Sequence, residues 1–115
     1  MHRESLESLT QLAAEAVRAA GGLIMANFSA EHSVSASEAH DIKIELDRRV
    51  QDLLEHILVA HLPHYSVLGE EGIRGSEGSE NEWILDPIDG TVNYFYGIPH
   101  FCVSVALRRA GELVL

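Results

Sequence analysis

The chain has 115 residues, 46% hydrophobic and 23% charged, which fits one globular domain that buries roughly two-thirds of its unfolded surface and excludes a disordered chain. Its formal net charge of −10 argues against a nucleic-acid polymer as partner, because such a partner calls for a basic face, and it suits cations better. The single cysteine, Cys102, excludes an internal disulfide and any cysteine-based zinc cluster, so a reducing, cytoplasmic setting is expected. No signal peptide is legible at the N-terminus and no apolar run reaches the length of a membrane span, so a soluble product is expected.

In chain order, Leu6, Leu9, Ala13, Ala16, Val17, Ala20, Ile24 and Phe28 recur at three- and four-residue spacing and predict a first helix over 5–28. Gly21-Gly22 interrupts the stripe, and is read as a place where the helix kinks or another element comes close. Residues 29–40 have no period and read as a connection in which His32 and His40 lack partners at ligand spacing. Leu46, Val50, Leu53, Leu54, Ile57 and Leu58 predict a second helix from Ile44 to Leu62, stopped by Pro63. Asp47 lies beside that apolar face, either as a paired functional carboxylate or as a first-turn acid favoured by the helix dipole. His56, His61 and His64 read as surface residues.

Ser66-Val67-Leu68 predicts a short buried strand that ends in Gly69-Glu70-Glu71-Gly72, a turn able to bind metal or simply to face solvent. Residues 73–81 read as a solvated acidic loop. An apolar strand from Trp83 to Ile88 then delivers Asp86, Pro87, Asp89 and Gly90-Thr91. Two carboxylates at the end of a buried strand repel each other unless a cation lies between them, and a hard ion such as Mg²⁺ supplies that charge through oxygen ligands. The Gly-Thr that follows frees backbone N–H groups suited to a phosphate. Asp86 and Asp89 are three apart, so a straight strand sends them to opposite faces and a turn is expected to reunite them.

Val92 to Tyr96 reads as a helical turn, broken at Gly97-Ile98-Pro99. Phe101, Val103, Val105 and Leu107 alternate with Cys102, Ser104 and Ala106, which predicts a strand covered on both faces. Ala110-Gly111 turns the chain into a partner strand over 112–115. An apolar strand ending at Leu115 suggests the N-terminal portion of a longer protein.

Gly69-Glu70-Glu71, then Trp83-Ile84-Leu85-Asp86-Pro87-Ile88-Asp89-Gly90-Thr91-Val92-Asn93-Tyr94, then Pro99 to Ser104, together resemble the inositol monophosphatase family over the whole chain. The resemblance implies an α/β fold, the layered α-β-α-β-α sandwich of the sugar-phosphatase type. Residues 1–115 would be the N-terminal portion of one such domain, two helices followed by a mostly antiparallel sheet. It implies a magnesium-dependent, lithium-sensitive phosphomonoesterase, homodimeric when full length, using two or three Mg²⁺ ions on a small phosphorylated polyol or sugar. Glu70, Asp86, Asp89 and the backbone carbonyl of Ile88 would hold metal. Asp47 and Thr91 would form a hydrogen-bonded pair that orients the attacking water with Glu70, and the N–H groups of Gly90 and Thr91 would hold the phosphate.

The sequence departs from the family where D-x-V-T-x-x-D becomes Asp41-Ile42-Lys43-Ile44-Glu45-Leu46-Asp47, so the threonine is lost and the chain's one lysine enters. The family's second signature, W-D-x-A-A-G, does not occur in these residues. Its aspartate completes the metal site in relatives, so this chain alone is expected to have little activity. Inositol monophosphate, fructose 1,6-bisphosphate, histidinol phosphate and 3′-phosphoadenosine nucleotides all remain open as substrates. A D-x-D-G-T phosphatase with an aspartate nucleophile fits less well, since an extra residue separates the two acids. A non-catalytic scaffold or regulatory relative is the alternative of another class.

Overall fold

The computed structural model describes residues 4–28, 36–69, 72–75, 78–89 and 101–115, with the backbone alone at 28, 36–44, 72, 74, 75 and 89. Two helices, α1 (Leu6–Phe28) and α2 (Ala36–His61), precede five strands, β1 (Ser66–Gly69), β2 (Gly72–Gly75), β3 (Asn81–Asp89), β4 (Cys102–Arg109) and β5 (Glu112–Leu113). The helix at 92–96 expected from the sequence lies outside the described residues. Among those described, no helix is long and apolar enough to cross a membrane.

Ser5 caps α1: its hydroxyl accepts the Ser8 N–H at 3.1 Å, satisfying one of the donors a helix start leaves over. The buried stripe is Leu9, Leu12, Ala13, Ala16, Ala20 and Ile24, whereas Leu6, expected inside, is 47% exposed. Small alanines on that stripe bring α1 close to α2, which it packs against along with β4. The glycine pair does not serve as a contact point, because a Cβ at Gly21 or Gly22 would meet nothing within 4 Å. Helix α1 continues through both glycines.

Helix α2 begins at Ala36, eight residues earlier than its apolar period suggests. Residues 36–40 therefore belong to a helix and not to the connection expected there. Polar residues predominate in that first part, so no apolar stripe announces it. Leu46, Val50, Leu54, Leu58 and Leu62 are buried, and Gln51 and Glu55 are buried with them. Past Leu62, whose N–H still bonds the Leu58 carbonyl at 2.9 Å, Pro63 turns the chain into β1.

The sheet order is β2-β1-β3-β4-β5. Strand β2, inside what reads as a loop, pairs antiparallel with β1, and β3 pairs parallel with β1. Strands β4 and β5 add on antiparallel, so the sheet is mixed where a mostly antiparallel one was expected. At the β4–β5 hairpin both central residues have positive φ, Ala110 at 51° and Gly111 at 84°, the backbone of a two-residue turn matched to strand twist.

Both helices cover one face of the sheet. Val67, Trp83, Leu85 and Leu107 are buried there, and Trp83 and Tyr65 are its largest fully enclosed side chains, 6.1 Å apart between ring centroids. On the opposite face the pairing register aligns Ile73, Leu68, Ile84 and Ala106 in one row. Cys102, Ser104 and Arg108 are exposed on that side, so β4 is covered by the described residues on one face only, a correction of the two-sided burial expected from its composition.

At one end of the sheet a polar cluster ties the start of α1 to β1 and β4. The Tyr65 hydroxyl donates to Glu4 Oε2 at 2.9 Å, Arg109 Nη2 lies 3.4 Å from that hydroxyl, and Arg109 Nε donates to Asn81 Oδ1 at 2.9 Å. One row further in, Glu82 pairs with Arg108 and accepts from the Ser66 hydroxyl at 3.1 Å.

Candidate active site

Because β1 and β3 run parallel as neighbours, their carboxyl ends fall at the same edge of the molecule, opposite the Tyr65 cluster. Strand β1 ends at Gly69, immediately before Glu70, and β3 ends in Asp86-Pro87-Ile88-Asp89. In parallel sheets, ligands bind outside such carboxyl ends.

The two aspartate positions meet through a bulge rather than a turn. Asp86 pairs with Ser104 and Asp89 with Cys102, so three steps along β3 match two along β4. One extra residue in β3 cancels the odd spacing, since Ser104 and Cys102 share a face and their cross-strand partners fall on that same face. Pro87 belongs in such a place: it lacks the N–H that a regular ladder would need. The sequence expected a turn to reunite the aspartates; the backbone register instead carries an irregularity between the two positions, inside the strand. Asp86 is half-buried and Ile88 is buried at 6% exposure.

Helix α2 runs back along β1 and brings a third carboxylate toward the same edge. Gln51 is seated directly on Gly69. Asp47, one turn nearer the helix start, therefore lies about 6 Å further toward the carboxyl ends. Its Oδ1 atom is buried. Asp47 is in the interior of a helix that begins at Ala36, so the first-turn, helix-dipole explanation of this residue does not apply.

Of the other expected site residues, Glu70, Gly90 and Thr91 and the Asp89 side chain lie outside the described residues, and so does the Asp47–Thr91 pair. Among the described residues no three His, Cys, Asp or Glu side chains come together as a metal site. The donors that are described suit a hard cation in kind: carboxylate oxygens, half-buried or buried, at a strand end and on the adjoining helix. Among the described residues no histidine joins them there, and the one cysteine, Cys102, enters as the cross-strand partner of Asp89. His64 belongs to the far end, 3.6 Å from Glu4, and Cys102 is exposed.

The sequence reading missed Gln51 and Glu55, whose side chains bond to each other at 2.9 Å in the interior. The signal was present. Asp47, Gln51 and Glu55 recur every four residues, a polar stripe bordering the apolar one, which on a helix means a shared face.

The inositol monophosphatase family model matches residues 5–115. The inositol-1-monophosphatase of Rhizobium meliloti (strain 1021) is 39% identical over 111 residues, 93% of this chain and 41% of that protein. The Nus factor SuhB of Pseudomonas aeruginosa is 36% identical over 113 residues, 94% of this chain and 42% of its own. Among solved structures, an inositol monophosphatase from Zymomonas mobilis superposes with a TM-score of 0.80 at 28% identity, covering 98% of this chain and 43% of that one. The chain thus spans about two-fifths of the length of the curated relatives it matches. A family match along nearly every residue, joined to a bulged aspartate strand beside the end of β1, leaves one assignment: the chain belongs to the inositol monophosphatase family.

Proposed function

We propose that this chain carries the first half of a Mg²⁺-dependent phosphomonoesterase site acting on a small phosphorylated polyol or sugar, with inositol monophosphate the foremost candidate. The observation that supports this most is the bulge that sets Asp86 and Asp89 on one face at the edge shared with the end of β1. In the proposed site Asp86, Asp89, Glu70 and the Ile88 carbonyl hold two or three ions. When bound, the ions lower the pKa of water and stabilise the charge that develops on the phosphoryl oxygens and the leaving alkoxide.

The chain's own residues do the rest by position. Asp47, held in the interior of α2, fixes the Thr91 hydroxyl, and Thr91 with Glu70 orients a water in line with the phosphorus. The backbone N–H groups of Gly90 and Thr91 hold the phosphate oxygens, as preorganised donors do wherever negative charge accumulates. No side chain is asked to become a nucleophile, so no covalent phosphoenzyme forms.

The test is phosphate release by the full-length protein from a panel of inositol monophosphate, fructose 1,6-bisphosphate, histidinol phosphate and 3′-phosphoadenosine nucleotides, in Mg²⁺ with and without Li⁺. One substrate turned over in Mg²⁺ and inhibited by Li⁺ supports the reading. No turnover of any member, with the protein folded, contradicts it.

A second reading is favoured by one observation: a relative 36% identical to this chain is named a Nus factor. Under it the fold serves binding to a macromolecular partner, in place of or beside catalysis. Carboxylate-dependent Mg²⁺ binding separates catalysis from binding in its place, because a purely structural partner has no need of the ion.

A further inference from the structure

We propose that Gln51 is a positioning residue that sets the distance between α2 and the end of β1, and so the place of Asp47 beside the proposed metal site; this rests on the function proposed above. A Cβ on residue 69 would fall 2.6 Å from Cδ and 2.8 Å from Oε1 of Gln51, and closer still to Nε2. No side chain can occupy that space while Gln51 stays where it is. The amide of a glutamine is ordinarily free to swing aside, and here it is not. Gln51 is 3% exposed, and its Nε2 donates to Oε1 of Glu55, itself 8% exposed, at 2.9 Å. Displacing the amide would strip a buried carboxylate of that hydrogen bond, so the amide does not give way freely.

The consequence is geometric. Gly69 lets the strand lie flat on the helix, and the Gln51 amide is the floor it lies on. Asp47 is four residues before that floor, so the one contact sets how Asp47 stands against the carboxyl end of β1. The glycine of the Gly-Glu-Glu turn is thereby explained by close approach and not by backbone φ. A site whose supporting contact loosens loses metal affinity by about 10- to 100-fold, the range seen when groups behind metal ligands are replaced.

The experiment is a coupled pair of substitutions, Gly69→Ala and Gln51→Ala, made singly and together in the protein and read by Mg²⁺ titration calorimetry well below the melting temperature. Gly69→Ala should weaken Mg²⁺ binding about 10- to 100-fold, with kcat falling more than KM rises. Gln51→Ala should weaken it several-fold. In the double variant the new methyl fills the space the amide has left, and affinity should return to within about threefold of wild type. Equal losses in the double variant and in Gly69→Ala overturn the inference, as does wild-type affinity in Gly69→Ala. Should Gly69→Ala fail to fold, Gln51→Ala decides alone, and wild-type affinity there overturns it. A wild-type protein without Mg²⁺ binding would take down the functional reading and this inference together; a binding wild type with indifferent variants would take down this inference only.

Discussion

Asp86 carries the heaviest demand of any single residue described. It is half-buried where β3 meets its bulge, and replacing it by asparagine keeps the shape while removing the charge. Asp86→Asn should lower Mg²⁺ affinity and phosphate release by at least about 100-fold, measured by calorimetry and phosphate assay. Two other residues make predictions about stability alone. Ala110 adopts a φ of 51°, a region in which a Cβ costs about 1–2 kcal/mol, so Ala110→Gly should raise the melting temperature by relieving part of that cost. Trp83 is fully buried, yet its Nε1–H finds no hydrogen-bond partner among the described residues. Trp83→Phe gives up volume but also removes a buried donor, so its cost by denaturant unfolding should fall below the about 3–5 kcal/mol of full truncation.

Between elements, the Tyr65 cluster joins α1, β1 and β4 at the end of the sheet away from the carboxylates. Glu4 is held below the usual carboxylate value, chiefly by a hydrogen bond from its own backbone; burial opposes this, and the Tyr65 hydroxyl, His64 and Arg109 reinforce it. A carboxylate depressed on folding contributes stability above its unfolded value of 4.5, and that stability is lost as pH falls through the lower folded value. Tyr65 shifts the other way: burial raises it above 10.0, partly offset by the Arg109 hydrogen bond and reinforced by Glu4. Its contribution is present below pH 10.0 and lost as pH rises through the folded value. Thermal melts across pH should therefore show Glu4→Gln flattening the limb below 4.5 and Tyr65→Phe flattening the limb above 10.0.

Legibility also divides by element. Helix α1 was readable from its stripe because most of its apolar positions, from Leu9 to Ile24, are also its buried ones. The start of α2 was not, since a polar first part leaves no period to read, and neither was β2, whose Gly-Ile-Arg-Gly carries no alternation and is held by pairing with β1. Asp86 and Asp89 could be named as a pair from charge repulsion. The bulge that unites them could not, because it is a property of the register with β4 and not of β3 by itself.

Across the molecule, the proposed site and the Tyr65 cluster occupy opposite ends of one sheet, at the exits and the entrances of the parallel pair β1 and β3. Substitutions at the two ends should separate. Mg²⁺ should raise the melting temperature of the wild type in proportion to how far its concentration exceeds the dissociation constant, and leave Asp86→Asn unmoved. Tyr65→Phe should melt earlier and still gain the full increment from Mg²⁺. The central claim, that the bulged end of β3 holds a divalent cation, is tested most directly by crystals soaked in Mn²⁺ and examined for anomalous scattering. A peak within about 2.0–2.6 Å of an Asp86 carboxylate oxygen is the predicted result; a folded protein with no peak at that carboxylate, at saturating Mn²⁺, would contradict it.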